Sequence, residues 1–123
     1  MKHPALYKRL AETLRTSIAI NDFGASYIVL SVQPDRIVVQ LWFSHLPRPF
    51  DEQQVLSIVE QLRTQLQAGI SSGPDFSTLT YSIADPDRLW VFFLEDYGKG
   101  SMPLCNSRNG EIEWSVPTEY FTG

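Results

Sequence analysis

The triplet Pro-Asp-Arg occurs twice in this 123-residue chain, at residues 34–36 and 86–88, and an amphipathic segment precedes each copy. A shift of 52 residues superposes the two triplets and also places Leu10 on Leu62. Proline fixes the backbone and aspartate supports turns through its side chain, so each triplet predicts a turn beside a strand. The repeat suggests duplication of an αββ unit; the alternative is that two common local patterns recur independently.

Two amphipathic helices are predicted from residues spaced about 3.6 apart. The first begins at Pro4, and the second has Asp51 as N-cap and Gln54 as its capping-box partner. Gly69 is predicted to end the second helix. Each helix has one apolar stripe, so both should pack on the same face of a sheet. The stripes consist of Leu6, Tyr7, Leu10, Ala11, Leu14 and Ile18 in the first helix and Val55, Val59, Leu62 and Leu66 in the second.

Segments rich in Val, Ile and aromatic residues predict the strands. They lie within residues 26–43, which hold two strands, and within 76–84, 88–96 and 111–116. The hairpin signal Asn109-Gly110 suggests a further short strand at 103–107. We therefore predict a single α+β domain over residues 1–123, of order αββαβββ. Its two helices pack on one face of an antiparallel sheet of five or six strands.

Composition and cysteine content predict a soluble cytoplasmic protein. The hydrophobic fraction of 43% and the charged fraction of 20% are typical of globular domains. The single cysteine, Cys105, has no intrachain partner, which favours a reducing compartment. The chain has neither an apolar signal segment nor the roughly 18 consecutive apolar residues of a membrane span. We therefore expect no membrane association.

Charge is distributed unevenly along the chain, whose formal net charge is −4. Residues 1–74 carry seven Lys and Arg against six Asp and Glu, whereas residues 75–123 carry three against eight. Nucleic-acid binding depends largely on neutralising phosphates with a basic surface. The sequence therefore predicts no nucleic-acid partner and favours a basic protein partner.

Residues with catalytic or metal-binding chemistry are isolated from one another. His45 follows an aromatic strand in a proline-rich loop, and Cys105 has no activating neighbour, so no catalytic residue is assigned. The most closely spaced carboxylates are Asp85 with Asp87 and Glu95 with Asp96. Neither pair has a third ligand, so no metal site is predicted. The glycine-bearing stretch 97–101 lacks the spacing of a phosphate-binding loop, and no cofactor is predicted.

The strand at 88–96 is apolar on both faces, although a sheet covered by helices on one face needs only one apolar set. Its alternating residues are Leu89, Val91 and Phe93 on one face and Trp90, Phe92 and Leu94 on the other. We predict that Trp42, Trp90 and Phe92 share the helix-free face. Such a patch is larger than soluble monomers usually expose. The C-terminal segment 102–121, curling of the sheet itself, a second copy or another protein would have to cover it.

These features predict a non-enzymatic protein-binding module that blocks or escorts a basic protein. Its physical character is that of immunity proteins, which neutralise toxins such as nucleases. Charge complementarity would speed association, and aromatic anchors would slow dissociation. The predicted partner-binding residues are Trp42, Asp85, Asp87, Trp90, Phe92, Glu95 and Asp96.

Two other functions fit the same sequence. A secretion chaperone or adaptor would use a homodimeric sheet to hold an unfolded segment of its client. An enzyme or sensor of small molecules would need a pocket between the sheet and the C-terminal segment, at which His45, Tyr97 or Tyr120 converge.

Overall fold

Two helices and five strands follow one another in the predicted order αββαβββ. The structure, a computed structural model, describes residues 4–46, 50–73, 76, 79–96 and 98–116. The elements are α1 (Pro4–Thr16), β1 (Tyr27–Val32), β2 (Ile37–Phe43), α2 (Glu52–Ser72), β3 (Leu89–Asp96), β4 (Ser101–Arg108) and β5 (Glu111–Trp114). The α+β class is therefore confirmed.

The five strands form one sheet in the order β1-β2-β3-β4-β5. The sheet is mixed, because β2 and β3 are parallel while all other neighbours are antiparallel. The parallel pair arises because α2 is the crossover that returns the chain from β2 to the start of β3. Ile37 lies beside Leu89 and Phe43 beside Glu95. The parallel register thus has the same 52-residue offset as the sequence repeat, so the repeated strands are direct neighbours.

The predicted strand at 76–84 is wrong: Phe76 and residues 79–84 form no strand. The apolar side chains that suggested it anchor a connection over the core instead, with Phe76 and Ile83 buried. Arg63 Nε donates a hydrogen bond to the carbonyl of Ile83, at 3.0 Å. β2 already has β1 and β3 as its neighbours, so no place beside β2 is left for this segment. At the shifted positions, the second half therefore has no counterpart of β1.

The second helix begins as predicted but ends later. Asp51 Oδ1 accepts a hydrogen bond from the backbone N–H of Gln54 at 2.9 Å, which confirms the N-cap. The helix continues beyond Gly69 to Ser72. A Cβ atom on Gly69 would lie 2.6 Å from Ser17 Oγ and 3.1 Å from Leu14 Cδ2. Gly69 thus permits close approach of α2 to the chain at the end of α1, rather than stopping the helix.

The hairpin predicted from Asn109-Gly110 is present between β4 and β5. Both turn residues have positive φ angles, 55° for Asn109 and 78° for Gly110, as a type I′ turn requires. The strand predicted at 103–107 is real and longer, running over the whole of β4. With β4 present, the sheet has five strands although residues 79–84 do not form one.

The core lies between the two helices and one face of the sheet. Three phenylalanine rings form its centre: Phe43 stacks on Phe93 with ring centroids 6.1 Å apart, and Phe50 meets Phe93 edge-on at 5.9 Å. Alternate residues of β2 and β3 point into this core and are fully buried. They are Ile37, Val39, Leu41 and Phe43 in β2 and Leu89, Val91 and Phe93 in β3.

Candidate functional site

The sheet face opposite the helices is the main candidate for a binding surface. Its side chains alternate with the buried ones along each strand, and none of them belongs to the core. We call it the helix-free face. Its members on the first four strands are Tyr27, Val29, Ser31, Val38, Gln40, Trp42, Trp90, Phe92, Leu94, Asp96, Ser101, Pro103, Asn106 and Arg108.

The three aromatic residues predicted to share this face, Trp42, Trp90 and Phe92, all lie on it and are partly exposed. Tyr27 stacks on Trp42, with ring centroids 5.2 Å apart and ring planes 11° apart. Tyr27 and Val29 are 41% and 43% exposed. Neither residue is among those predicted from the sequence to bind a partner, although their alternation with the apolar residues of β1 assigns them to this face.

Trp90 differs from the other aromatic residues because two arginines of the chain itself cover its ring. The guanidinium carbon of Arg36 lies 4.0 Å from the ring centroid and that of Arg108 lies 5.4 Å from it. Cations in this position are attracted by the negative face of the indole. The exposed large apolar side chains of the helix-free face are instead Tyr27 and Val29, both on β1.

The four carboxylates predicted to bind a partner do not lie together. Asp85 and Asp87 are exposed just before β3, whereas Glu95 and Asp96 are its last two residues. At about 3.3 Å per residue, the six steps of β3 from Leu89 to Glu95 span roughly 20 Å. The structure therefore divides the predicted quartet into two pairs at opposite ends of the strand.

The Asp85 and Asp87 pair lies at an end of the sheet where three turns meet. Arg88 Nη1 donates a hydrogen bond to the carbonyl of Asp35 in the β1–β2 turn, at 3.0 Å. On the other side, a Cβ atom on Gly110 in the β4–β5 turn would lie 3.5 Å from Pro86. We call this region the turn end.

The turn end has more negative than positive side chains. Arg36 pairs with Asp35 at 2.7 Å, and Arg108 pairs with Glu113. Asp85, Asp87 and Glu111 are exposed and form no ion pair within the described part of the chain. The grouping of Asp85, Asp87 and Glu111 could not be predicted from the sequence, because it depends on the packing of three turns from distant segments.

The expectation that residues 102–121 cover the helix-free face is wrong for the residues up to 116. This part of the chain extends the sheet sideways as β4 and β5. Trp114 packs on the helix side, where its ring meets that of Phe50 at 6.0 Å. Val116 also packs against the core. Residues 117–121 lie outside the described residues.

Two of the titratable residues considered as catalytic candidates, Cys105 and His45, lie within the described residues. Burial raises the pKa of the Cys105 thiol to about 12, so this thiol stays protonated at neutral pH. His45 is exposed beyond the end of β2, and Tyr97 and Tyr120 lie outside the described residues. Among the residues that the structure describes, no three His, Cys, Asp or Glu side chains are placed to hold a metal ion.

The helices of the described chain are too short or too polar to cross a membrane.

Comparison with known proteins yields no match to a protein-family model, to a curated protein or to a solved structure.

Proposed function

We propose that this chain is a non-enzymatic protein-binding module that inhibits a basic partner through its helix-free face, in the manner of an immunity protein neutralising a toxin such as a nuclease. We place it in the cytoplasm, where a single unpaired cysteine is stable. The observation that carries the proposal is the aromatic surface on the side of the sheet that no described helix covers.

The composition of this surface supports a protein partner. Aromatic side chains bury a large area while losing few rotatable bonds, and they are enriched where proteins bind one another. Tyr27, Trp42 and Phe92 occupy three adjacent strands of the sheet. Since a rigid sheet fixes their relative positions, little conformational entropy would be lost when a partner covers them.

The charge of the turn end supports a basic partner. Asp85, Asp87 and Glu111 are exposed there without ion pairs among the described residues, and Trp90 of the helix-free face is close by at the start of β3. Exposed charges at the rim of an interface mainly accelerate association and make it sensitive to salt. The proposal therefore gives the aromatic residues the task of holding the partner and the carboxylates the task of attracting it.

The first test is purification of the tagged protein from its native cells at low salt, followed by mass spectrometry. Tyr27→Thr removes an exposed ring from the helix-free face while keeping a residue suited to strands. Leu56→Gln is the matched control, because Leu56 is 44% exposed on α2 and Tyr27 is 41% exposed. We expect one basic protein to accompany the wild type and Leu56→Gln, and to be reduced about tenfold with Tyr27→Thr.

Equal recovery with all three proteins would contradict the proposed surface. A stable dimer of the chain without any companion would favour the secretion chaperone or adaptor instead, and light scattering on the same sample detects it. The activity of the recovered partner, measured with and without this protein, then tests inhibition directly.

A second test separates the two carboxylate pairs. The double variant Asp85→Asn with Asp87→Asn keeps the hydrogen bond in which Asp85 Oδ1 accepts the N–H of residue 87, because an amide oxygen replaces the carboxylate oxygen. We expect slower association and weaker salt dependence in this variant, and smaller changes in Glu95→Gln with Asp96→Asn. The reverse order would contradict a role for the turn end.

A further inference from the structure

The outer edge of the sheet at β1 lacks the usual protection against pairing with another chain. The features within a strand that normally protect a sheet edge are charged residues, proline and a bulge, and a helix or loop can also cover the edge. The six residues of β1, Tyr27–Val32, contain neither a charge nor proline, and their register with β2 is continuous. The opposite edge strand, β5, contains two glutamates and is only four residues long. The two edges therefore differ in their capacity to accept another strand.

The hydrogen-bonding groups of β1 alternate between β2 and the open edge. The N–H of Gln33 donates a hydrogen bond to the carbonyl of Arg36 at 2.9 Å. In an antiparallel pair of strands, opposite residues alternate between hydrogen-bonded and non-hydrogen-bonded pairs, and residues 33 and 36 are therefore a hydrogen-bonded pair. With the observed register, residues 27, 29 and 31 also bond to β2. The N–H and C=O groups of Ile28, Leu30 and Val32 consequently point outward. Water can satisfy these groups in the free protein, and an extended peptide is the ligand whose own N–H and C=O spacing matches the row.

Helix α1 lies beside this edge and turns it into a groove. The groove has a volume of about 350 Å³ and is lined by Tyr7, Lys8 and Ala11 of α1 and by residues 30–33 of the strand. A strand added to β1 would point alternate side chains toward α1, as the buried residues of β1 do. The apolar atoms of Tyr7 and Ala11 suit small apolar side chains, and the Lys8 ammonium suits a carboxylate.

We infer that the groove between α1 and β1 binds an extended acidic segment of a partner protein as an additional antiparallel or parallel strand. The charge of the groove favours an acidic segment, because Lys8 is the one charged residue among those that line it. The same charge disfavours a second copy of the chain, since pairing of two β1 edges would bring both Lys8 side chains to one interface. This groove adjoins the turn end at Gln33 but does not depend on the proposed function.

The test uses a random dodecamer peptide library displayed on phage and selected on the purified wild-type protein. Enriched peptides are synthesised with a fluorescent label and titrated against three proteins: wild type, Lys8→Glu and Arg15→Glu. The last is the matched control, because it makes the same charge change on the same helix outside the groove lining. Both side chains are exposed, so neither variant should unfold.

We expect enriched peptides with acidic residues beside β-branched ones, about tenfold weaker binding to Lys8→Glu and less than about twofold weaker binding to Arg15→Glu. Amide hydrogen exchange read by NMR should slow at Ile28, Leu30 and Val32 when the peptide is added. This second readout reports strand addition itself.

Three results would overturn the inference. The first is the absence of any enriched peptide, and the second is equal binding to both variants. The third is a chain that already forms a dimer with slow exchange at the β1 amides in the absence of peptide, which would assign the edge to a second copy.

Discussion

Neighbouring phenylalanines on β3 provide a direct test of the two faces of the sheet, because Phe92 and Phe93 have the same side chain on opposite sides. Phe93 is fully buried, stacks on Phe43 and meets Phe50 edge-on at 5.9 Å. Replacing such a residue with alanine leaves a cavity and costs about 3–5 kcal/mol. Phe92 is partly exposed, and its ring meets that of Trp90 edge-on at 6.5 Å.

We expect Phe92→Ala to lower the free energy of unfolding by about 1–2 kcal/mol. This value combines partial burial of the ring with one aromatic contact worth about 0.5–1.5 kcal/mol, and solvent fills the space that the ring leaves. Urea denaturation followed by circular dichroism measures both variants, and Phe93→Leu replaces Phe93→Ala if the latter does not fold. Equal losses for residues 92 and 93 would refute the reasoning, because they would mean that the helix-free face is covered within the monomer.

Three further changes test the fold. Gly69→Ala should lower the free energy of unfolding by about 1–2 kcal/mol, because the added Cβ would lie 2.6 Å from Ser17 Oγ. This loss is expected although alanine is the better helix former. Adding Ser17→Gly should recover most of the loss, and a Gly69→Ala protein more stable than wild type would contradict the close approach. Asp51→Ala should cost about 1 kcal/mol in urea denaturation through loss of the N-cap, and Asp51→Asn should cost less. Burial raises the pKa of the Cys105 thiol from 9.0 to about 12, so the unfolded chain loses this proton at lower pH than the folded chain does. The free energy of unfolding should therefore fall as pH rises from 9.0 towards 12. Cys105→Ala should make this fall less steep, and an unchanged dependence on pH would contradict the burial.

The sequence predicted the local features of this fold well. The start of α2, the turn at Asn109-Gly110 and the burial of alternate residues in β2 and β3 follow from interactions within a few residues. Such signals need no knowledge of distant contacts. The three aromatic residues of the helix-free face were found for the same reason, since alternation along a strand assigns each residue to a face.

The errors came from long-range packing. The segment 76–84 has a strand-like pattern, but β3 occupies the position beside β2. The buried side chains of the segment, Phe76 and Ile83, therefore anchor a connection over the core instead. Gly69 was interpreted as a helix end because sequence does not show the chain segment packed against it. The four carboxylates are close in sequence, whereas β3 puts roughly 20 Å between its first residue, Leu89, and Glu95. Conversely, Glu111 joins Asp85 and Asp87 only through the meeting of turns.

The three tryptophans of the chain offer the most direct measurement of where a partner binds. Trp42 and Trp90 lie on the helix-free face, whereas Trp114 packs beside Phe50 on the helix side. The protein is labelled with 5-fluorotryptophan, its three fluorine resonances are assigned with Trp→Phe variants, and the recovered partner is titrated in. The proposed function predicts that the resonances of Trp42 and Trp90 shift while that of Trp114 does not. A shift confined to Trp114, or no shift at saturating partner, would contradict binding through the helix-free face.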